Sequence, residues 1–251
     1  MFATLQCVGR LQGTPLQGTP LQGTLLGADE PAVDHDGRAE RIALDPTSWV
    51  EVTRDWLRGA DTLLDALVPA VAWHQGRRRM YDRILDEPRL SRSFSPGDAL
   101  PHPALAAIQA ALIERCAVPL GGMFLNYYRD GRDSVAWHGD RELRYLDETL
   151  VAIVTLGAAR PFLLRPRRVD GGGGGRALDL RPGSGDLIVM GGRCQHDWEH
   201  AVPKVVRAGP RISVSLRWSS RTGAPTPRRS SRAGRRPAKA PAAIGDRWSR
   251  R

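Results

Sequence analysis

Cysteine is scarce in this sequence, long apolar runs are missing, and acidic residues all but vanish from one end; each shortage removes a class of protein. Three cysteines occur in 251 residues, Cys7, Cys116 and Cys194, widely spaced and odd in number. They form neither a CxxC pair nor the dense framework of a disulfide-stapled secreted domain. No stretch of about 18 apolar residues is available to span a bilayer. The N-terminus also lacks the basic region, apolar segment and small-residue cleavage site of an export signal. The expectation is a soluble monomer of the reducing cytoplasm, with no membrane partner.

The net charge of +10 is unevenly placed. Residues 219–251 hold ten Lys or Arg against one acid, Asp246, and so carry nine of the ten net charges. The rest of the chain is near neutral. Such a tail can attract phosphates of any sequence without forming a specific site. The same composition also suits a merely solvated extension. A length of 251 residues with 41% hydrophobic residues supports one sizeable core, which suggests one catalytic domain with tails.

Leu11 to Leu25 reads LQGTP, LQGTP, LQGTL, a five-residue repeat too poor in apolar groups to build a solenoid, so residues 1–30 are expected to be disordered. From Asp45 onward, Trp56, Leu57, Leu63, Leu64, Leu67 and Val68 recur at roughly helical spacing, with Asp45 or Thr47 available as a cap. A second helix follows Pro103, where Leu105, Ile108, Leu112 and Ile113 fall on one face. After Val118 the pattern turns to strands: GMFLNYY, TLVAIVTL, PFLLRP, RALDL, GDLIVM and RISVSLRW, parted by RDGRD, the run Gly171 to Gly175, and RPGSG. Short strands between Gly- and Pro-rich turns predict an α+β, mainly β chain: a sandwich or jelly roll braced by the two N-terminal helices.

SVAWHGDRE sets His138 and Asp140 two apart, so on an extended strand end both side chains reach one ion. A histidine from a distant strand would complete a facial triad, leaving coordination positions open for a bidentate cosubstrate and O₂. The distal ligand lies in GGRCQHDWEHAVPKV, where periodicity puts both His196 and His200 on the face of Trp198 and does not separate them. Cys194 with His196 raises zinc, but no second Cys/His pair completes a tetrahedral site. In PRISVSLRW, alternation puts Arg211, Ser213, Ser215 and Arg217 on one face and Ile212, Val214, Leu216 and Trp218 on the other. If the apolar face packs against the bracing elements, the arginines point inward and need an anion, for which a dicarboxylate is suited. Otherwise the strand is an ordinary amphipathic one with a solvated Arg/Ser face.

NYYRDGRDSVAWHGDRE, WEHAVPK and GPRISVSLR, taken in order, resemble the AlkB family of oxidative nucleic-acid demethylases over roughly residues 80–218. The resemblance implies a double-stranded β-helix with iron(II), 2-oxoglutarate and O₂. It assigns iron to His138, Asp140 and His200, which favours His200 over His196. It gives the distal carboxylate of 2-oxoglutarate to Arg211, and further cosubstrate contacts to Asn126 and Tyr128. Arg217 would sit beside Asp140 and the other carboxylate. Glu142 matches an acidic position that helps read the target base. WHQGRRRMYDRILDEPRL resembles the family's variable nucleotide-recognition region, where Trp73, Met80 and Tyr81 would contact an extruded base and Arg77 to Arg79 the backbone.

The expected organisation is therefore a disordered repeat (1–30) and a dioxygenase domain (31–218), followed by a disordered basic tail (219–251). Within the domain, 31–117 is the helical and nucleotide-recognition part and 118–218 the jelly-roll core. The expected activity is oxidative demethylation of N-alkylated bases in single-stranded nucleic acid or on a flipped base, releasing formaldehyde, succinate and CO₂. Two other readings stand beside it: the same iron chemistry on a protein or small molecule, and a non-enzymatic nucleic-acid-binding protein.

Overall fold

The computed structural model describes residues 29–219 and 221, except residues 81, 141, 144 and 168–175. Nothing of the side chains of Arg78 and Met80 is described. The LQGTP repeat, the five-glycine run, Tyr81 and nearly all of the basic tail thus lie outside the described residues.

A seven-stranded antiparallel sheet runs in the order Ala39–Ala43, Ser48–Thr53, Leu187–Gly192, Thr149–Gly157, Arg211–Ser219, Met123–Tyr128, Leu90–Phe94. Facing it is a four-stranded sheet in the order Leu178–Asp179, Leu163–Pro166, Trp198–Val202, Val135–His138. Two-residue alternation divides the large sheet's side chains between two cores. From TLVAIVTLG, Leu150, Ala152, Val154 and Leu156 pack with Leu63, Leu67, Leu105, Ile108 and Leu112 of the helices Ala60–Ala70 and Pro103–Cys116. Val151 and Ile153 point the other way, joining Val50, Ile188 and Met190 against Phe162, Leu164 and Val202 from the smaller sheet's side. Each fully buried Leu or Ile contributes about 1.5–3 kcal/mol, so both cores hold the sheets in register.

The strand Arg211–Ser219 lies between Thr149–Gly157 and Met123–Tyr128, with its whole length paired to the former. Ile212, Val214, Leu216 and Trp218 join the helix-side core. Its Arg/Ser face is therefore enclosed between the sheets: Arg211 is wholly buried and Ser213 and Ser215 nearly so. A solvated amphipathic strand is ruled out by that central position.

The helix expected from Asp45 starts much later, at Ala60. SWVEVT instead forms the strand Ser48–Thr53, because Val50 and Val52 alternate into the inter-sheet core. Asp45 caps a turn, accepting hydrogen bonds from the backbone amides of Thr47 and Ser48. Gly59 stands at the helix entrance with a φ of 64°, and a Cβ there would lie 2.2 Å from Asp29 O. The second helix, Pro103–Cys116, follows its sequence pattern and is capped by His102 Nδ1. The stretch 31–117 is thus less helical than expected: it supplies three strands of the large sheet and a hairpin, Arg77–Met80 with Arg83–Asp86.

Candidate metal centre

His138 ends the strand Val135–His138, and His200 lies directly opposite it on Trp198–Val202. The two imidazole centroids are 4.2 Å apart. Asp140 follows two residues beyond the strand, after Gly139, and one ligand atom from each of His138, Asp140 and His200 lies within 4.8 Å of the others. No other such group occurs among the described residues. Gly139 permits the turn between them: a Cβ there would meet Arg167 Nη2 at 2.5 Å and Gln195 O at 2.7 Å. Phe162 stacks on the His200 ring with centroids 5.4 Å apart, which leaves that ring little freedom.

Protonation states follow from the hydrogen bonds. His138 Nδ1 lies 2.8 Å from Ala136 O and 3.1 Å from His200 O. Carbonyls only accept, so Nδ1 carries the proton and the Nε2 lone pair is left for a metal. Burial, reinforced by His138, pushes the His200 pKa down to about 3, and Asp140 only partly opposes this. His200 is thus neutral and able to donate a lone pair. Burial of Asp140 by itself would raise its pKa, but Arg217, through charge and a hydrogen bond, holds it below the usual carboxylate value, with both histidines adding to this. Arg217 Nε donates to Asp140 Oδ2 at 2.5 Å, and the Asp140 amide donates to Gln195 Oε1 at 3.0 Å.

On the same inward face, Arg211 donates from Nη1 to Pro182 O at 3.0 Å and from Nη2 to Thr155 Oγ1 at 3.1 Å, while buried Nε has no partner. No carboxylate within ion-pair distance neutralises it among the described residues. Burial lowers its pKa to about 10, so it remains a cation at neutral pH. A buried guanidinium with an unspent N–H fits a carboxylate of a small dicarboxylic acid. Tyr128 is Arg211's partner in the ladder and Asn126 that of Ser213, so both point to this side of the sheet. Asn126 Oδ1 accepts from Arg89 Nε at 3.0 Å.

Of the two candidate distal histidines, His200 alone joins the cluster with His138 and Asp140. His196 sits in the short helical turn Cys194–Asp197, and its Nδ1 lies 2.5 Å from Asp197 Oδ1 and 2.8 Å from Arg193 Nη2, apart from the triad. Cys194 is buried, its thiol pushed up to about 12 by that burial, and it belongs to no metal-ligating group. Glu142 is exposed, with Oε1 3.9 Å from Arg217 Nε. Trp73 does not approach the centre. Its Nε1 donates to Val68 O at 3.0 Å and its ring packs on Tyr127, on the helix side of the large sheet. Sequence reasoning missed Gln195, Phe162, Thr155 and the buried Arg160, which donates to Asp130, Asp133 and Pro203 carbonyls. None of these carries a spacing signal, because each reaches its partner only through the fold.

Two histidines and one carboxylate gathered in one cluster are the donor set of a non-haem iron(II) oxygenase centre. The 2OG-Fe(II) oxygenase superfamily matches residues 64–233. The mouse (Mus musculus) alpha-ketoglutarate-dependent dioxygenase alkB homolog 3 is 30% identical over 212 residues, 76% of this chain and 73% of its own length. The Arabidopsis thaliana protein named DNA oxidative demethylase ALKBH2 is 32% identical over 114 residues, 38% of this chain and 36% of its own. A Trichoplax adhaerens prolyl hydroxylase, solved with a hypoxia-inducible-factor peptide, shares the fold at a TM-score of 0.51 and 12% identity, over 69% of this chain and 84% of its own. The chain belongs to the 2OG-Fe(II) oxygenase superfamily, in its AlkB-like branch, and is a dioxygenase that uses iron(II), 2-oxoglutarate and O₂.

Proposed function

We propose that the enzyme oxidatively demethylates N-alkylated bases of DNA or RNA. His138, Asp140 and His200 would hold iron(II), and Arg211 the distal carboxylate of 2-oxoglutarate. The observation that carries this reading is the pairing, inside an AlkB-like chain, of the His138–Asp140–His200 cluster with a buried Arg211 whose Nε is unspent.

Iron with its cosubstrate supplies the oxidising power when bound. One oxygen atom of O₂ enters succinate as 2-oxoglutarate loses CO₂, and the other enters the N-methyl C–H bond. The resulting N–CH₂OH group breaks at its C–N bond to release formaldehyde and the restored base. The protein's part is placement. Arg217 keeps Asp140 ionised and oriented, His138 Nδ1–H is held by two carbonyls, and Phe162 fixes His200. Arg211, with Asn126 and Tyr128 beside it, orients the dicarboxylate. Glu142, 70% exposed two residues from Asp140, would accept from a base's exocyclic amino group.

A stacked base cannot enter such a centre, so the substrate is single-stranded or flipped. The hairpin Arg77–Asp86 presents exposed Arg77, Arg79 and Arg83 with exposed Ile84 and Leu85, a mixture suited to backbone phosphates and unstacked bases. The basic residues of 221–251 would add salt-sensitive attraction. The reading also takes the enzyme to be a cytoplasmic monomer; sedimentation and cell fractionation check this.

The test is formaldehyde release from a single-stranded oligonucleotide carrying 1-methyladenine or 3-methylcytosine, with iron(II), ascorbate and 2-oxoglutarate. Release that requires 2-oxoglutarate and is lost in His200→Ala supports the proposal. Succinate formation with no release from either lesion would move the substrate to another class.

A further inference from the structure

The outer face of the small sheet carries three side chains that flank the candidate ligands from behind. Arg165 pairs with Glu199 in the strand register, one position along from the Leu164–His200 pair. Its Nε and Nη2 lie 3.2 and 3.0 Å from Glu199 Oε2. Its guanidinium carbon lies 4.0 Å from the centre of the Trp137 ring, in cation–π contact. Glu199 is the neighbour of His200 and Trp137 the neighbour of His138, and alternation along each strand turns them away from the centre. One side chain thus crosses all three strands at the level of the two histidines.

The ladder here is weak. Among the described residues Val135–His138 is an edge strand, held on one side only. It pairs with Trp198–Val202 at two positions, His138 with His200 and Val135 with Val202, and the register shifts between them. That bulge turns both His138 and Val135 inward, but it removes regular ladder hydrogen bonds where the ligand spacing has to be set. By contrast, Leu163–Pro166 pairs with Trp198–Val202 at four successive positions. The edge strand therefore needs a restraint other than its ladder. With Arg165 and Glu199 side chains only 22% and 18% exposed, the pair is sheltered from much of the solvent's screening.

We infer that Arg165, clasped between Glu199 and Trp137, is a positioning residue that sets the separation of His138 and His200 for metal binding. It acts through the two strands and touches neither metal nor substrate. The inference rests on the reading of His138 and His200 as ligands, so the experiment separates the two. Cobalt(II) alone is the probe, titrated by its ligand-field absorption into the full-length chain, with thermal unfolding measured in parallel.

Arg165→Met and the near-isosteric Glu199→Gln are each expected to raise the cobalt(II) Kd about tenfold and to change the absorption bands, as loss of groups that orient metal ligands does. Arg165→Lys, which keeps the charge without the planar stack, recovers only part. Adding Trp137→Leu to Arg165→Met worsens binding by less than the sum of the single changes, because the two act as a unit. A lowered melting temperature with unchanged Kd and spectrum in Glu199→Gln overturns the proposal and leaves an ordinary surface contact. Should Arg165→Met not fold, Glu199→Gln and Arg165→Lys decide. Cobalt binding that survives His138→Ala, or its absence in the unaltered chain, rejects the ligand assignment itself.

Discussion

Arg217 Nε donates to Asp140 Oδ2 across 2.5 Å, joining the one anionic member of the candidate triad to the strand that also carries Arg211. One strand therefore serves both ends of the site. It holds the Asp140 carboxylate through Arg217, and it presents Arg211 six residues earlier on the same face.

Arg217→Met is expected to destabilise the metal-free protein by roughly 3 kcal/mol, because it strands a buried carboxylate without its cation. This is the low end for a broken buried pair, since the Arg217 side chain is 27% exposed. Urea unfolding measures it, and a loss under about 0.5 kcal/mol, the range of an ordinary surface substitution, would mean that Asp140 finds another partner.

The two histidines that share a strand periodicity should separate cleanly on mutation. His200→Ala, like His138→Ala or Asp140→Ala, is expected to abolish turnover with the circular dichroism spectrum unchanged. His196→Ala should keep most activity, since its ring is engaged with Asp197 and Arg193. Loss of turnover in His196→Ala with metal affinity intact would place that turn in the catalytic cycle.

Removing the buried guanidinium should act on the cosubstrate. Arg211→Met forfeits a charge-assisted contact worth about 2–3 kcal/mol, which corresponds to a rise of about 30- to 150-fold in KM for 2-oxoglutarate. A kcat at saturating 2-oxoglutarate that falls less than kcat/KM would agree. An unchanged KM would show that the dicarboxylate binds elsewhere.

A pH-dependent contribution to stability should come from Asp45. Burial would raise its pKa, but hydrogen bonds from the Trp198 indole, Thr47 and Ser48 outweigh this and bring it down to about 2. The folded value lies below the ordinary carboxylate value near 3.9. The stabilisation is therefore fully present above about pH 4 and is lost as pH falls through about 2. Asp45→Asn should be less stable than the parent at pH 6, with the gap closing towards pH 2 in urea titrations; a gap independent of pH would trace the effect to shape alone.

The sequence displayed whatever depends on a local period. Alternation in RISVSLRW separated Arg211 and Arg217 from Ile212, Val214, Leu216 and Trp218, and the strand divides its faces in that way. Helical spacing after Pro103 located the second bracing helix. Where two local patterns competed, the wrong one was read at Asp45. The apolar residues from Trp56 suggested a helix reaching back over SWVEVT, whose Val50 and Val52 become core only because another strand lies beside them. Trp73 had the composition of a base-stacking residue, but Tyr127 and the Val68 carbonyl claim it.

By itself, the sequence determined the HxD spacing, the alternation that sets the two arginines on one face, the strand-rich second half and the concentration of positive charge at one end, because covalent order and side-chain period suffice for these. Periodicity left His196 and His200 on one face, and only the tertiary structure brought His200, and not His196, together with His138 and Asp140. That choice turns on Cys194–Asp197 coiling into a helical turn and on His200 meeting His138 across a ladder, which brings together residues 62 positions apart. The tertiary structure likewise decided that Arg211 is buried with no neutralising acid among the described residues and that Arg165 bridges three strands, since burial and cross-strand register arise only when distant segments pack.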